Sequence, residues 1–153
     1  MFESLKEITN RVIALDSSAI LVRIFSEKEA KEIVLFLQKS QLFDDGERSD
    51  GSIIGYYSDN TRVYKKLDKG WRGKSFNNFI TLYDTGDFYD SMSVKVLKNG
   101  DLEISADGQK GEDNLFEKYG QNLIGLTDEH FEELSSYSIP VIIELVRKQV
   151  QNT

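Results

Sequence analysis

The sequence predicts an α+β fold, a small and mainly antiparallel sheet with N-terminal helices and a C-terminal helix packed on it. Three observations carry that expectation. Apolar residues recur at helical spacing in the N-terminal part and again near the C-terminus. Apolar and polar residues alternate at a strand's period between Phe88 and Ala106, around a Lys98-Asn99-Gly100 turn. The length of 153 residues suits a single domain, 1–153, that buries roughly two thirds of its unfolded surface without staples.

The helical N-terminal region covers about residues 2–43. Phe2, Leu5, Ile8, Val12 and Leu15 lie on one helical face, and Asp16-Ser17-Ser18 interrupts it. Ala19 to Phe25 reads as a short helix leading into a second one over about 27–43, with Ala30, Ile33, Val34, Leu37 and Gln41 along one side. Ser26 with Glu29 three residues on has the arrangement of a capping box. Asp44-Asp45-Gly46 and Asp50-Gly51 then break the pattern. Residues 52–78 form a basic, aromatic loop region, in which a short strand or two and a functional segment are expected.

The register of the hairpin, about 88–106, follows from burial. Phe88, Met92, Val94 and Val96 share one parity with Leu102, Ile104 and Ala106. Placing both sets on one face requires Val96 opposite Leu102, which leaves a three-residue loop with Gly100 in the left-handed position. A two-residue Asn-Gly loop mixes the faces. Thr127, followed by Asp128 and Glu129, opens a C-terminal helix over about 127–150, where Pro140 either kinks it or starts a new one.

Composition narrows the chemistry. With no cysteine there is no disulfide scaffold or thiolate catalysis, and one histidine, His130, rules out histidine clusters within one copy; a surface position is expected for it. No cofactor or metal site is read, since Asp44, Asp45, Glu47 and Asp50 lack calcium-loop spacing. The N-terminus lacks the pattern of a signal peptide and no apolar run is long enough for a bilayer, so a soluble, unexported chain is expected. The net charge is −7, yet Arg62 to Lys74 carries a local +5. Such polarity favours oriented macromolecular contacts.

Two segments stand out. The first interleaves Tyr64 and Trp71 with Lys65, Lys66, Lys69, Arg72 and Lys74. This composition suits nucleic acid, through phosphate neutralisation and base stacking, and also a protein interface anchored by aromatic residues and arginine. In an acidic chain the protein interface is the preferred reading, and DNA contact is not favoured. The nearby Gly70-Trp71-Arg72-Gly73-Lys74-Ser75 lacks the four-residue spacing of a P-loop. The second segment is Tyr83-Asp84-Thr85-Gly86-Asp87-Phe88. Asp84-Thr85-Gly86 reads either as half of a dimeric aspartic-protease site or as a turn into the hairpin, with Asp84 and Thr85 capping it and Gly86 taking a backbone shape costly for other residues. The adjacent Asp87 adds a carboxylate to a dyad that must hold one negative charge, so the turn is preferred.

The order of these features resembles the tail-completion, or virion-morphogenesis, proteins of tailed bacteriophages. The likeness covers about residues 38–148: Gln41-Leu42-Phe43, Asp50-Gly51, Tyr57-Ser58-Asp59-Asn60-Thr61 with lysines following, Leu82 to Phe88 leading to Ser91, Gly120, and Leu123-Ile124-Gly125-Leu126-Thr127-Asp128-Glu129 before the last helix. Ile53 and Ile54 stand where family members often have tryptophan, and Asn122-Leu123-Ile124 replaces the usual proline-arginine. The resemblance implies a non-enzymatic virion protein without cofactors. It further implies a self-assembled ring, a hexamer, that joins or terminates the tail at the head and meets other neck or tail-tube proteins, without a membrane. Its location would be the virion, and the host cytoplasm during assembly. On this reading Tyr83 to Tyr89 shapes the subunit core and its contacts, and Tyr64 to Phe76 is a docking loop that orders on assembly. The alternatives are the aspartic protease and a nucleic-acid-binding module.

Overall fold

The computed structural model describes residues 5–67 and 78–151. The fold is α+β. Helices α1 (Leu5–Ile13), α2 (Ser17–Ser26) and α3 (Lys28–Ser40) are followed by a single π-helical turn, Gln41–Asp45. Then come α4 (Asp59–Leu67), α5 (Asp87–Asp90), the hairpin β1 (Ser93–Val96) and β2 (Leu102–Ser105), and the smaller hairpin β3 (Gln109–Lys110) and β4 (Asp113–Asn114). Helix α6 (Leu115–Tyr119), a 3₁₀ turn (Gln121–Leu123) and α7 (Asp128–Gln151) complete the chain.

The expected hairpin register is present. Val96 pairs with Leu102 and Val94 with Ile104, while Leu97 N–H donates to Asp101 and Gly100 N–H to Leu97 across the three-residue loop. Gly100 has φ +89°, and a Cβ there would stand 3.0 Å from the Leu21 side chain. Glycine therefore lets the hairpin tip seat against α2. The apolar face made by Val94, Val96, Leu102 and Ile104 packs on a core of Ile24, Phe25, Ala30, Val34, Leu37 and Leu134, which joins α2, α3 and α7. A second core, centred on Leu42, Ile54, Phe88, Tyr89, Met92 and Leu123, lies beneath the loops and α5.

The two cores meet at a polar clamp. Gln38 and Gln41, both fully buried, lie three residues apart and so face the same way. Gly125 N–H donates to Gln38 Oε1 at 2.7 Å, and Thr127 N–H donates to Gln41 Oε1 at 2.8 Å. Gln41 Nε2 donates to Gly125 O at 3.0 Å and Glu47 O at 3.4 Å. Two side chains thus supply hydrogen bonds that a neighbouring strand would otherwise give to residues 125–127. Gln38 Nε2 finds no partner among the described residues. Beside the clamp, Arg48 donates to the carbonyls of Tyr119, Ile53 and Ile54, so its guanidinium ties the 48–54 loop to the end of α6.

Several expectations are corrected. The capping box at Ser26 does not form: Ser26 is still helical and its hydroxyl donates back to Val22 O, so the extended residue before α3 is Glu27, which makes no side-chain cap. The second long helix ends at Ser40, and the π turn that follows swings Gln41 onto the clamp and ends at left-handed Gly46. Among the described residues of the 52–78 region there is a helix, with isolated bridges at Ile53 and Tyr56 in place of strands. Ser58 starts that helix, α4, by accepting from Thr61 N–H. Phe88 belongs to α5 and Met92 precedes β1, because Gly86, at φ +99°, turns the chain into a helical turn before the strand. Helix α1 occupies Leu5–Ile13, and Phe2 lies outside the described residues. Pro140 sits inside α7, which runs through it as one helix. Thr127 caps that helix as expected, accepting from His130 N–H. His130 itself is not on the surface: its side chain is 12% exposed, with Nδ1 3.0 Å from Thr127 Oγ1 and Nε2 3.8 Å from Asp45. Burial raises the Asp45 carboxyl above its ordinary value, and His130 pulls the other way.

Gln41→Leu keeps the side-chain volume and leaves three backbone groups of the clamp unmatched. The expected loss is about 3 kcal/mol in urea unfolding, since each unsatisfied buried group costs roughly 1–3 kcal/mol before relaxation. Gly46 has φ +66°, and an added Cβ would stand 2.3 Å from a Phe79 ring carbon. Gly46→Ala is expected to lower stability by at least ~2 kcal/mol, from left-handed strain and overpacking together, and to lower the thermal midpoint accordingly.

Candidate interaction site

Tyr64 and Lys65 of the first segment and residues 83–88 of the second line one cleft of about 590 Å³. Helix α4 forms one wall through Thr61, Tyr64 and Lys65, the 82–88 turn another, and β3, β4 and α6 the third. What holds α4 there is a network around Thr81, which is 1% exposed. Thr81 N–H donates to the Tyr57 hydroxyl at 3.1 Å, and Lys65 Nζ donates to the same oxygen at 3.0 Å and to Tyr83 O at 2.9 Å. Lys65 also lies 4.2 Å from the Tyr57 ring centroid. Burial pushes the Tyr57 phenol up, but the hydrogen bonds from Lys65 and Thr81 outweigh it and hold the group below its ordinary value.

The turn itself is built for shape. Leu82 has φ +58°, a left-handed conformation that costs a non-glycine residue about 1 kcal/mol or more. Flanking groups fix it: Tyr83 N–H donates to Thr81 Oγ1, and Lys65 takes the Tyr83 carbonyl. Thr85 Oγ1 donates to Asp87 Oδ2 at 2.6 Å and accepts from Asp87 N–H at 3.4 Å. Thr85 is thus a turn former, as expected. Asp84 is not: its carboxylate pairs with Lys110 on β3, and that hydrogen bond draws the carboxyl below its ordinary value against a smaller desolvation penalty. Behind the turn the rings of Phe43, Tyr83, Tyr89, Phe88 and Phe116 meet edge to face at centroid distances of 5.3–6.5 Å. Tyr89 donates its hydroxyl to Thr81 O, and burial raises its phenol well above the ordinary value.

The predicted interaction residues therefore divide. Tyr64 lines the cleft yet stays exposed, and Val63 and Leu67 are exposed on the same helix. Lys65, assigned to docking by the sequence reading, points inward and is engaged by Tyr57 and Tyr83. The side chain of Lys66 and the whole of Lys69, Trp71, Arg72 and Lys74 lie outside the described residues. Of the turn residues, Phe88 is buried, Gly86 turns the chain, and Asp84 and Asp87 stay at the surface. Tyr57, Thr81 and Lys110 were missed; their partners lie 24, 24 and 26 residues away, separations without a spacing signal.

Among the described residues no group of three or more histidine, cysteine, aspartate or glutamate side chains is arranged to hold a metal ion. Nor is any described helix long and apolar enough to cross a membrane. No protein-family model matches the chain, and neither a curated protein nor a solved structure is a match to it.

Lys65→Met removes the ammonium and leaves the burial of Tyr57 in place. The Tyr57 phenol is expected to titrate higher than in the unaltered protein, followed by ultraviolet difference absorbance. Amide exchange in 59–67 should quicken, because α4 loses its tie to the turn. An unchanged titration would mean that Lys65 does not set the Tyr57 environment.

Proposed function

We propose that the chain is a non-enzymatic structural protein of a virion, a tail-completion or neck component that forms a ring and joins or terminates a phage tail at the head. The observation that carries an assembly role is the amount of large apolar surface left uncovered. On α7, Phe131, Tyr137, Ile139, Val141 and Ile143 are exposed, and on α4 so are Val63, Tyr64 and Leu67. Scattered apolar residues are ordinary on a monomer, but Val63, Tyr64 and Leu67 share one arc of α4 and Phe131, Ile139 and Ile143 one arc of α7, and such strips mark surfaces that meet other protein. The order of motifs between residues 38 and 148 supports the choice of virion assembly among such roles.

The mechanism is geometric. A subunit whose two unlike faces meet head to tail closes into a ring when the rotation divides a full turn, and a hexamer is the expected closure. The 82–88 turn, strained at Leu82 and braced by Thr81 and Lys65, offers a fixed shape to a neighbour. The segment that includes Trp71 and Arg72 is the proposed docking element, with other neck or tail-tube proteins as partners. The virion, and before it the host cytoplasm, is the corresponding location. A dimeric aspartic protease draws no support from the turn: a shared-proton dyad needs a desolvated carboxyl, whereas Asp84 is 59% exposed and neutralised by Lys110.

Asp84→Asn is expected to leave virion-precursor processing and ring formation intact, by gel analysis and electron microscopy, and to cost at most about 1 kcal/mol of stability. Loss of processing with the fold retained would restore the protease. In a virus carrying the gene, Trp71→Ala with Arg72→Ala is expected to accumulate unjoined heads and tails. Normal joining would overturn the docking role.

A further inference from the structure

The hairpin β1–β2 is a sheet of two strands, so among the described residues β2 has a partner strand on one side only. The bulged turn fixes which backbone groups face the other side. Because Leu97 N–H donates to Asp101 O, residues 97 and 101 form a hydrogen-bonded pair, and alternation makes Lys95 with Glu103 the next one. Leu102 and Ile104 lie in the intervening pairs. Their N–H and C=O groups point outward from β2 and have no hydrogen-bond partner among the described residues.

Along this side of β2 runs an apolar groove of about 960 Å³. Leu21, Phe25 and Val34 contribute from the α2 and α3 side, and α7 walls it with Phe131, Leu134 and Ile139. Phe131 is 59% exposed and Ile139 51%. The charged residues lining it are both acidic, Asp101 just before β2 and Glu103 on it. An open row of backbone donors and acceptors beside an apolar wall is the arrangement that takes an added strand.

The chemistry selects one kind of occupant. A second β2 related by a two-fold axis centred on Glu103 would set that residue against its own copy, and one centred on Leu102 would set Asp101 against Glu103. Both oppose like charges across strands, which is destabilising; an axis centred on Ile104 sets Glu103 against Ser105, so in none of the three registers does a second copy of β2 bring a cation to Asp101 or Glu103. On its paired side β2 already accepts the complementary pattern, with Val94 and Val96 on the apolar face and Lys95 opposite Glu103. We propose that the β2 edge and its groove bind an extended segment of a partner protein in which apolar residues alternate with lysine or arginine. The segment adds as a third strand, with its apolar side chains on the Phe131 and Ile139 wall and its cations beside Asp101 and Glu103. This inference goes beyond the ring reading, since a single subunit suffices for it.

The probe is a fluorescein-labelled peptide, Ser-Val-Lys-Val-Lys-Val-Lys-Ser, titrated into the full chain and followed by anisotropy. Saturable binding is expected, weakened at least tenfold when glutamate replaces lysine in the peptide, and at least tenfold when alternate peptide nitrogens along one edge are methylated. Glu103→Gln, with unchanged circular dichroism, should weaken binding, and Phe131→Ser on the exposed wall should do the same without relying on charge. Absence of binding overturns the proposal. So does binding that ignores both methylation and Phe131→Ser, which would mean charge attraction alone. A subunit that binds the peptide as a monomer upholds this inference even if rings never form, and rings without peptide binding refute it alone.

Discussion

The reading of residues 125–127 by Gln38 and Gln41 is the interaction on which the arrangement of the molecule depends. Helix α7 can lie against α2 and α3 only if the segment leading into it satisfies its backbone groups inside the protein, because burial without partners costs more than apolar packing nearby returns. Two glutamines meet that demand from one side of α3 and its π-helical extension. The π turn is therefore more than a local irregularity: it orients Gln41 and delivers the chain to left-handed Gly46, where Phe79 closes over the backbone. Neither core would have its present boundary without it.

From that junction the molecule divides its labour. On one side the hairpin rests on the α2, α3 and α7 core with its outer backbone edge open. On the other, α4 and the 82–88 turn are braced through Tyr57, Thr81 and Lys65 into a shaped cleft backed by aromatic rings. Both regions are more elaborate than burial alone requires. The positive φ of Leu82 in particular is a strain that surrounding hydrogen bonds maintain.

What could be read in the sequence was local or periodic. The pairing of Val96 with Leu102 follows from parity and one turn glycine, and the start of α7 from Thr127 with the two acids behind it. The fold class follows from the same signals. The clamp, the Arg48 fork and the Thr81 network were not legible, because each joins a side chain to a backbone group or side chain with no fixed separation along the chain. Helix α4 was missed for another reason: its apolar residues Val63, Tyr64 and Leu67 stay exposed, so the expected buried stripe is absent. Lys65 shows the limit of composition, since a cation that looked available for a partner is spent inside the subunit. For Asp84-Thr85-Gly86, the letters alone allowed two geometries, and the pairing of Asp84 with Lys110 depends on a hairpin that begins more than twenty residues later.

The side chain of Arg11 on α1 donates to the carbonyl of Val150 on α7 at 3.0 Å, across 139 positions of sequence. The first and last described helices thus touch, the end of α1 against the end of α7. That carbonyl lies in the last turn of α7, where no donor of the same helix can reach it, and a cation suits the negative end of the helix dipole. Fraying of either helix should therefore loosen the other, although most of the sequence separates the two groups.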